Sequence, residues 1–220
     1  MNWDNIYLIE SQSRQDLAET FMRFQEYYES PVFRGRVFSA DEFVAWYASQ
    51  NGGFTYHQDW AGFNIPSWVL EPFKNGGFDP LTDREKNLVN FFRNIQGNFY
   101  IIGATSQDKE CADTIKHEFV HGAFFTNSDY RRDVLNCLNA HKSGVIKVAL
   151  REMGYGENVL EDETNAYLLT EPQTFRNKMS LSEGLKLRDV LDKIFAKYFG
   201  FSMMVVNADF IVNRTERILI

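Results

Sequence analysis

The chain has 220 residues, of which 44% are hydrophobic and 24% charged, and it includes 20 phenylalanines, 10 tyrosines and 4 tryptophans. This length and composition support a packed core and exclude a disordered chain, so the starting expectation is a single domain over residues 1–220. Thirty acidic against 23 basic residues give a net charge of −7. No long run of Lys or Arg is present, so a nucleic acid is not expected as a partner.

The N-terminus lacks the basic start and apolar run of a secretion signal, and no stretch of about 18 apolar residues occurs. A cytoplasmic location without a membrane partner is therefore expected. The two cysteines, Cys111 and Cys137, are too few for a disulfide framework and are expected to be reduced thiols.

The first predicted element is a helix over residues 12–28, where apolar and charged residues alternate at helical spacing behind Ser13. A second helix is predicted after Ser39, because Glu42 follows at the spacing of a capping box. Residues 54–68 come next; they are aromatic-rich and broken by glycines and a proline. This pattern predicts short strands joined by turns.

A second capping box begins with Thr82, whose partner Glu85 stands three residues later, and predicts a further helix. Residues 99–104 form a short apolar run typical of a buried strand. Ser106 then offers an N-cap for a long helix that ends near Phe125.

The remaining chain is predicted to be mainly helical. Three helices are expected over residues 128–141, 145–154 and 161–170, and an amphipathic helix over residues 182–199 ends at Gly200. Residues 201–220 are predicted to be an extended tail. The fold class is therefore α+β, with helices and a small mixed or antiparallel sheet in residues 1–105 and metal-site helices in residues 106–200.

The long predicted helix contains His117, Glu118 and His121, an H-E-x-x-H motif. Residues four apart lie on one helix face, so both imidazoles can direct a nitrogen at a point about 2.0–2.1 Å away. Glu118 leans toward the same side, where its carboxylate can accept a proton from a metal-activated water. The alternative is a pair of structural histidines. The isolated His57 and His141 are expected on the surface or in loops.

A catalytic zinc ion requires a third protein ligand. The residues after His121 do not continue as the metzincin pattern, which leaves a carboxylate from a second helix. Glu161 and Glu163 are the two candidates in residues 161–170, while Glu157 and Glu171 are less favoured. Each of these acids can also be a solvated helix surface residue.

With these motifs the sequence resembles the gluzincin-type zincins, metallopeptidases in which a Glu on a following helix completes the H-E-x-x-H site. The resemblance covers the segment from about Phe99 to Leu169. A small residue commonly follows the ligand Glu by three positions in that group, which favours Glu163 with Ala166. Glu161, followed by Thr164 and Asn165, matches a related variant.

The resemblance implies a compact zincin fold with a small sheet above the active-site helix and Zn²⁺ as the cofactor. Glu118 would be the general base and then the general acid. Substrate commonly binds in such enzymes along a sheet edge, for which residues 100–104 and 62–66 are the candidates.

Tyr167 is the candidate oxyanion donor because it shares the helix face of Glu163, while Tyr130, Tyr155 and His57 compete for the role. Asp162 or Asn165 can orient a ligand. The leading hypothesis is a zinc metallopeptidase acting on a peptide or protein substrate. The rivals are a zincin-like sensor or protein-binding domain with little turnover, and a metal-free helical interaction protein.

Overall fold

The computed structural model describes residues 5–60, 62–105, 111–141, 143–175, 181–213 and 215–219. Contacts between residues divide the chain into two compact units. The first consists of Tyr7–Thr114 with the C-terminal segment Glu216–Ile220, and the second mainly of Ile115–Thr215. The division lies within helix α6 (Cys111–Thr126), the helix that carries the H-E-x-x-H motif.

The first unit combines a four-stranded sheet with five helices of the described chain. Two short 3-10 helices, Ser67–Leu70 and Phe92–Asn94, join some of these elements. In chain order the elements are β1 (Ile6–Ser11), α1 (Arg14–Glu29), α2 (Ala40–Asn51), α3 (Tyr56–Asp59), β2 (Gly62–Pro66), α4 (Glu71–Lys74), α5 (Asp83–Phe91), β3 (Tyr100–Thr105) and β4 (Glu216–Leu219).

The sheet has the strand order β2-β3-β1-β4 and is mixed. β2 is antiparallel to β3, and β1 is parallel to β4 with Tyr7 opposite Glu216. All six residues of β3 are buried, as expected for an apolar central strand. The predicted α+β class with a small mixed sheet is confirmed.

The two predicted substrate-binding segments differ in their place in the sheet. β3, which contains residues 100–104, is an interior strand and therefore offers no edge, so this part of the prediction is wrong. β2 is an edge strand, but the backbone N–H of Asn64 donates to Oε1 of Gln25 at 3.1 Å. Pro66 has no backbone N–H to donate. This edge is thus partly closed to another strand.

The helix starts in the first unit follow the predicted capping residues. The side chains of Ser13 and Ser39 accept hydrogen bonds from the backbone N–H of Asp16 and Glu42. At Thr82 both halves of the capping box are formed with Glu85. These predictions are confirmed.

The prediction of several short strands over residues 54–68 is wrong. Tyr56–Asp59 is helical, and Gly62–Pro66 is the one strand among the described residues of this stretch. The Asp59 carboxylate accepts hydrogen bonds from the hydroxyls of Thr55 at 2.6 Å and Tyr47 at 2.5 Å. This side-chain bonding favours a tight turn over an extended backbone.

The second unit is helical in all of its described regular elements. They are α6, α7 (Ser128–Ala140), α8 (Gly144–Glu152), α9 (Leu160–Thr170), a 3-10 helix (Pro172–Phe175), α10 (Leu181–Phe199) and α11 (Ala208–Val212). α10 packs against α7 and α9, and Gly200 follows it with φ of 79°. The predicted end of this helix is confirmed. Ser106, the predicted N-cap of the helix that carries the H-E-x-x-H motif, lies outside the described residues.

The prediction of an extended tail over residues 201–220 is wrong, because part of this segment is helical. Asn207 caps α11 by accepting a hydrogen bond from the backbone N–H of Phe210. Ala208 and Ile211 are both buried and lie three positions apart, so they share one face of this short helix. Of the described residues in this segment, Glu216–Leu219 alone form a strand.

Among the described residues, we find no helix with the length and apolar character needed to cross a membrane.

Candidate metal centre

Helix α6 places His117 and His121 one turn apart on a buried face. The same helix buries four apolar side chains, which fix its orientation in the second, helical unit: Ile115, Phe119, Val120 and Ala123. The centroids of the two imidazole rings lie 4.8 Å apart. The two histidines of the motif therefore form one cluster, as the i, i+4 spacing predicts.

Helix α9 brings Glu163 to this cluster. Oε2 of Glu163 lies 3.6 Å from Nε2 of His117 and 3.7 Å from Nε2 of His121. The three side chains are 6–11% exposed, and their ligand atoms lie within 4.8 Å of one another. One carboxylate and two imidazoles thus converge on a shared point.

Two of the other acids considered as third ligands, Glu161 and Glu157, pair with cations of another helix. Glu161 accepts a hydrogen bond from Nζ of Lys147 at 2.6 Å, and Glu157 pairs with Arg151. Both acids are engaged by cations of the α8 segment. Of the two leading candidates, Glu161 and Glu163, it is Glu163 that lies beside both imidazoles.

The donor set fits a zinc ion. Two His nitrogens and one Glu oxygen are the ligands of one common type of catalytic zinc site. Donors bound at about 2.0–2.2 Å to one tetrahedral ion lie about 3.3–3.6 Å apart, close to the distances from Glu163 to the imidazoles. Oε2 of Glu163 is buried and has no hydrogen-bond partner among the described residues. A bound cation would satisfy this oxygen.

The outer nitrogens of both imidazoles face acceptors. Nδ1 of His121 lies 3.0 Å from Oδ2 of Asp162. Nδ1 of His117 lies 3.3 Å from Oε1 of Glu171 and 3.2 Å from the hydroxyl oxygen of Thr170. A proton on each Nδ1 leaves Nε2 with its lone pair toward Glu163, which is the tautomer a metal ligand needs.

These contacts separate the two candidates for orienting a ligand. Asp162 contacts His121, whereas Asn165 is fully buried and donates to the Tyr130 hydroxyl at 3.0 Å. Glu171 was a less favoured candidate for the third ligand, and it contacts Nδ1 of His117, not the point shared by the two Nε2 atoms. Glu171 stands just beyond the end of α9, and its position depends on how α9 packs against α6 and not on a local pattern.

The carboxylates make the cluster strongly attractive to positive charge. Burial lowers the pKa of His117, but Glu163 and Glu171 outweigh this effect and raise it to about 9. Burial also lowers the pKa of His121, but Asp162 and Glu163 hold it well above its usual range. The same negative field favours a divalent cation at this point.

Glu118 lies beside the cluster without being one of its three converging donors. Burial raises the pKa of its carboxyl, and the charges of His121 and His117 oppose this rise. Oε2 of Glu118 is buried and lacks a hydrogen-bond partner in the described part of the chain. A carboxyl group with a buried oxygen that lacks a partner is suited to proton transfer.

Tyr167 packs edge-on against His117, with ring centroids 4.7 Å apart. Its hydroxyl lies 2.9 Å from the hydroxyl of Tyr155. The competing Tyr130 is fully buried and bonded to Asn165, so its hydroxyl is already engaged. His57 lies on α3, where its Nε2 is 3.3 Å from Nε2 of Gln58. Among the candidate residues, Tyr167 contacts the cluster of His117, His121 and Glu163, and Tyr155 contacts Tyr167.

His141 lies at the end of α7, where its Nδ1 is 2.8 Å from the carbonyl oxygen of Cys137. It is separate from the cluster of His117 and His121.

Comparison of the chain with protein-family models, with curated proteins and with solved structures finds no match. The case for a function therefore depends on the side chains and their geometry.

Proposed function

We propose that the helical unit is a zincin-like domain that binds Zn²⁺ through His117, His121 and Glu163 and hydrolyses peptide bonds as a gluzincin-type metallopeptidase. The observation that carries this proposal is the convergence of three buried ligand atoms from α6 and α9. Each imidazole is also held from behind by a carboxylate, which is the usual support of a metal-bound histidine.

The proposed reaction is attack of water on the scissile carbonyl group. Zn²⁺, when bound, supplies a Lewis acid for the carbonyl and lowers the pKa of water to about 7. Glu118 accepts the proton of the attacking water and then transfers it to the nitrogen of the leaving amine. Burial raises the pKa of Glu118, which makes its carboxylate a stronger proton acceptor for the first step.

Asp162 and Glu171 support this chemistry from outside the ligand set. They hold the Nδ1 protons of His121 and His117, which keeps both Nε2 atoms free to bind the cation. Tyr167 lies against His117 and supplies a hydroxyl for the oxygen of the scissile carbonyl.

The experiment combines metal analysis with peptide cleavage. Protein purified without chelator is expected to contain zinc by plasma emission spectroscopy and to cleave a mixed peptide library followed by mass spectrometry. Glu118→Gln should keep the zinc and lose cleavage, because it removes the proton acceptor without removing a ligand. Glu161→Gln is the matched control, since Glu161 is bonded to Lys147, and it should keep both properties.

The rival function, a sensor or protein-binding domain with little turnover, has no use for a base beside the cluster. Oε2 of Glu118 is buried and has no hydrogen-bond partner among the residues that the structure describes, which favours the peptidase. Cleavage that is absent in the wild type despite bound zinc would support the rival, and cleavage that persists in Glu118→Gln would contradict the proposed mechanism.

A further inference from the structure

Two tyrosine hydroxyls form a hydrogen-bonded pair beside the metal cluster. Tyr167 follows Glu163 by four residues on α9, so both side chains leave the same face of the helix. The Tyr167 ring packs against His117 on one side and against the buried Phe175 on another, at centroid distances of 4.7 and 5.6 Å. These contacts hold the ring next to the cluster.

Tyr155 reaches Tyr167 from the turn that ends α8. The backbone N–H of Tyr155 donates to the carbonyl oxygen of Leu150, and that of Gly154 donates to the carbonyl oxygen of Arg151, both at 3.0 Å. These two bonds form the Schellman motif of a helix C-terminus. Gly154 has φ of 100°, a value that a residue with a side chain rarely adopts. The turn thus fixes the backbone position of Tyr155.

The hydroxyl pair has one proton left to donate. The two oxygens lie 2.9 Å apart, so one hydroxyl donates to the other, and the accepting hydroxyl has no acceptor for its own proton within the described part of the chain. Accepting a hydrogen bond polarises that hydroxyl and strengthens it as a donor. Tyr167 is the inner member of the pair, because its ring contacts His117.

We infer that Tyr155 is a positioning residue: it donates to Tyr167, which in turn donates its proton to the oxyanion that develops on the scissile carbonyl of a peptide substrate. This inference rests on the proposed peptidase function. It assigns the roles within the pair, with Tyr167 touching the substrate and Tyr155 acting only through Tyr167.

The test uses Tyr155→Phe, Tyr167→Phe and the double variant in the zinc-loaded full chain. On a peptide cleaved by the wild type, Tyr167→Phe should lower kcat about 100-fold or more with little change in KM, because the donor acts on the transition state. Tyr155→Phe should lower kcat about 10-fold. The double variant should be no slower than Tyr167→Phe, because Tyr155 acts through Tyr167.

A binding measurement provides a readout besides activity. Acetohydroxamic acid presents a carbonyl oxygen to a zinc site, and its affinity is measured by calorimetry with zinc-loaded protein. Tyr167→Phe should weaken its binding about 10-fold, and Tyr155→Phe by a smaller factor in the same direction. Tyr198→Phe is the matched control, because the Tyr198 hydroxyl donates to Asp133 outside the cluster.

The outcomes separate this inference from the proposed function. If the wild type binds zinc and cleaves peptide while Tyr155→Phe equals the wild type in kcat and in acetohydroxamic acid affinity, the inference is overturned and the function stands. Multiplying losses in the double variant would also overturn it, since two independent donors would then be acting. A wild type that binds no zinc and neither cleaves peptide nor binds acetohydroxamic acid would overturn both.

Discussion

Oδ2 of Asp162 lies 3.0 Å from Nδ1 of His121, while Nε2 of the same ring faces Glu163 at 3.7 Å. Asp162 and Glu163 are adjacent in sequence, yet they contact opposite ring nitrogens of one histidine. The start of α9 therefore supplies both a candidate ligand and the group that orients a second ligand.

Replacing Asp162 tests this relationship. Asp162→Asn removes the negative charge but keeps the size of the side chain, and we expect the zinc dissociation constant to rise about 10-fold to 100-fold. Zinc affinity is measured by competition with a chromophoric chelator. The control is Asp133→Asn, because Asp133 pairs with Lys197 and Tyr198 outside the cluster. Equal zinc affinity in Asp162→Asn and the wild type would contradict the role of Asp162.

Glu171 is one of two acceptors at Nδ1 of His117, whereas Asp162 is the acceptor described at Nδ1 of His121. The Thr170 hydroxyl oxygen lies 3.2 Å from Nδ1 of His117 and remains as an acceptor when Glu171 is changed. We therefore expect Glu171→Gln to weaken zinc binding less than Asp162→Asn does. The same chelator competition measures both variants, and a larger effect at Glu171 would show that Thr170 does not accept the proton.

A buried ion pair in the first unit predicts a large stability effect. Nε and Nη2 of Arg23 donate to the two carboxylate oxygens of Glu85 at 2.7 and 2.5 Å, and both side chains are no more than 3% exposed. Glu85→Ala leaves a buried guanidinium without its partner. We expect a loss of about 3–5 kcal/mol in the free energy of unfolding, measured by urea titration with tryptophan fluorescence.

The control for this prediction is Glu19→Ala. Glu19 pairs with Arg84 at 3.2 Å, and its side chain is 50% exposed. An exposed pair contributes about 1 kcal/mol or less, so this variant should remain close to the wild type. Similar losses in Glu85→Ala and Glu19→Ala would show that burial of the Arg23 pair does not matter.

Burial of Glu26 predicts a pH-dependent stability difference. Burial raises the pKa of this carboxyl above 4.5, although hydrogen bonds from Tyr56 and Ser30 oppose the rise. The protonated form is therefore favoured in the folded state, and the stability it contributes is lost as the pH rises through the folded-state pKa. Glu26→Gln stays neutral and can still accept the hydrogen bond that the Tyr56 hydroxyl donates to Oε1 at 2.8 Å.

We expect Glu26→Gln to unfold at a higher urea concentration than the wild type at pH 7. The difference should shrink as the pH falls below 4.5, where the carboxyl is protonated in both the folded and unfolded states. Urea titrations of both proteins at pH 7 and at a pH below 4.5 measure this difference in stability. A wild type that is the more stable protein at pH 7 would show that the charged carboxylate is favoured by its surroundings.

Local patterns were sufficient for several parts of the fold and the site. The spacing of Ser39 with Glu42 and of Thr82 with Glu85 predicted two helix starts, because capping bonds join neighbouring residues. The spacing of His117 and His121 placed both rings on one face for the same reason.

Local sequence patterns could not predict contacts between residues that are far apart in the chain. Helix α3 depends on a bond from Tyr47 to Asp59, and the pairing of β4 with β1 joins the two ends of the chain. Likewise, sequence spacing did not decide whether Glu161 or Glu163 is the third ligand. The choice follows from the position of Lys147, which engages Glu161, and from the packing of α9 against the imidazoles.

The central claim is that His117, His121 and Glu163 bind one zinc ion, and the zinc content of purified protein tests it most directly. Plasma emission spectroscopy should find about one zinc per chain in the wild type and in Glu161→Ala, because three buried donors fit one tetrahedral ion. His121→Ala and Glu163→Ala should lose it. A wild type without zinc, or an unchanged zinc content in His121→Ala, would contradict the metal centre.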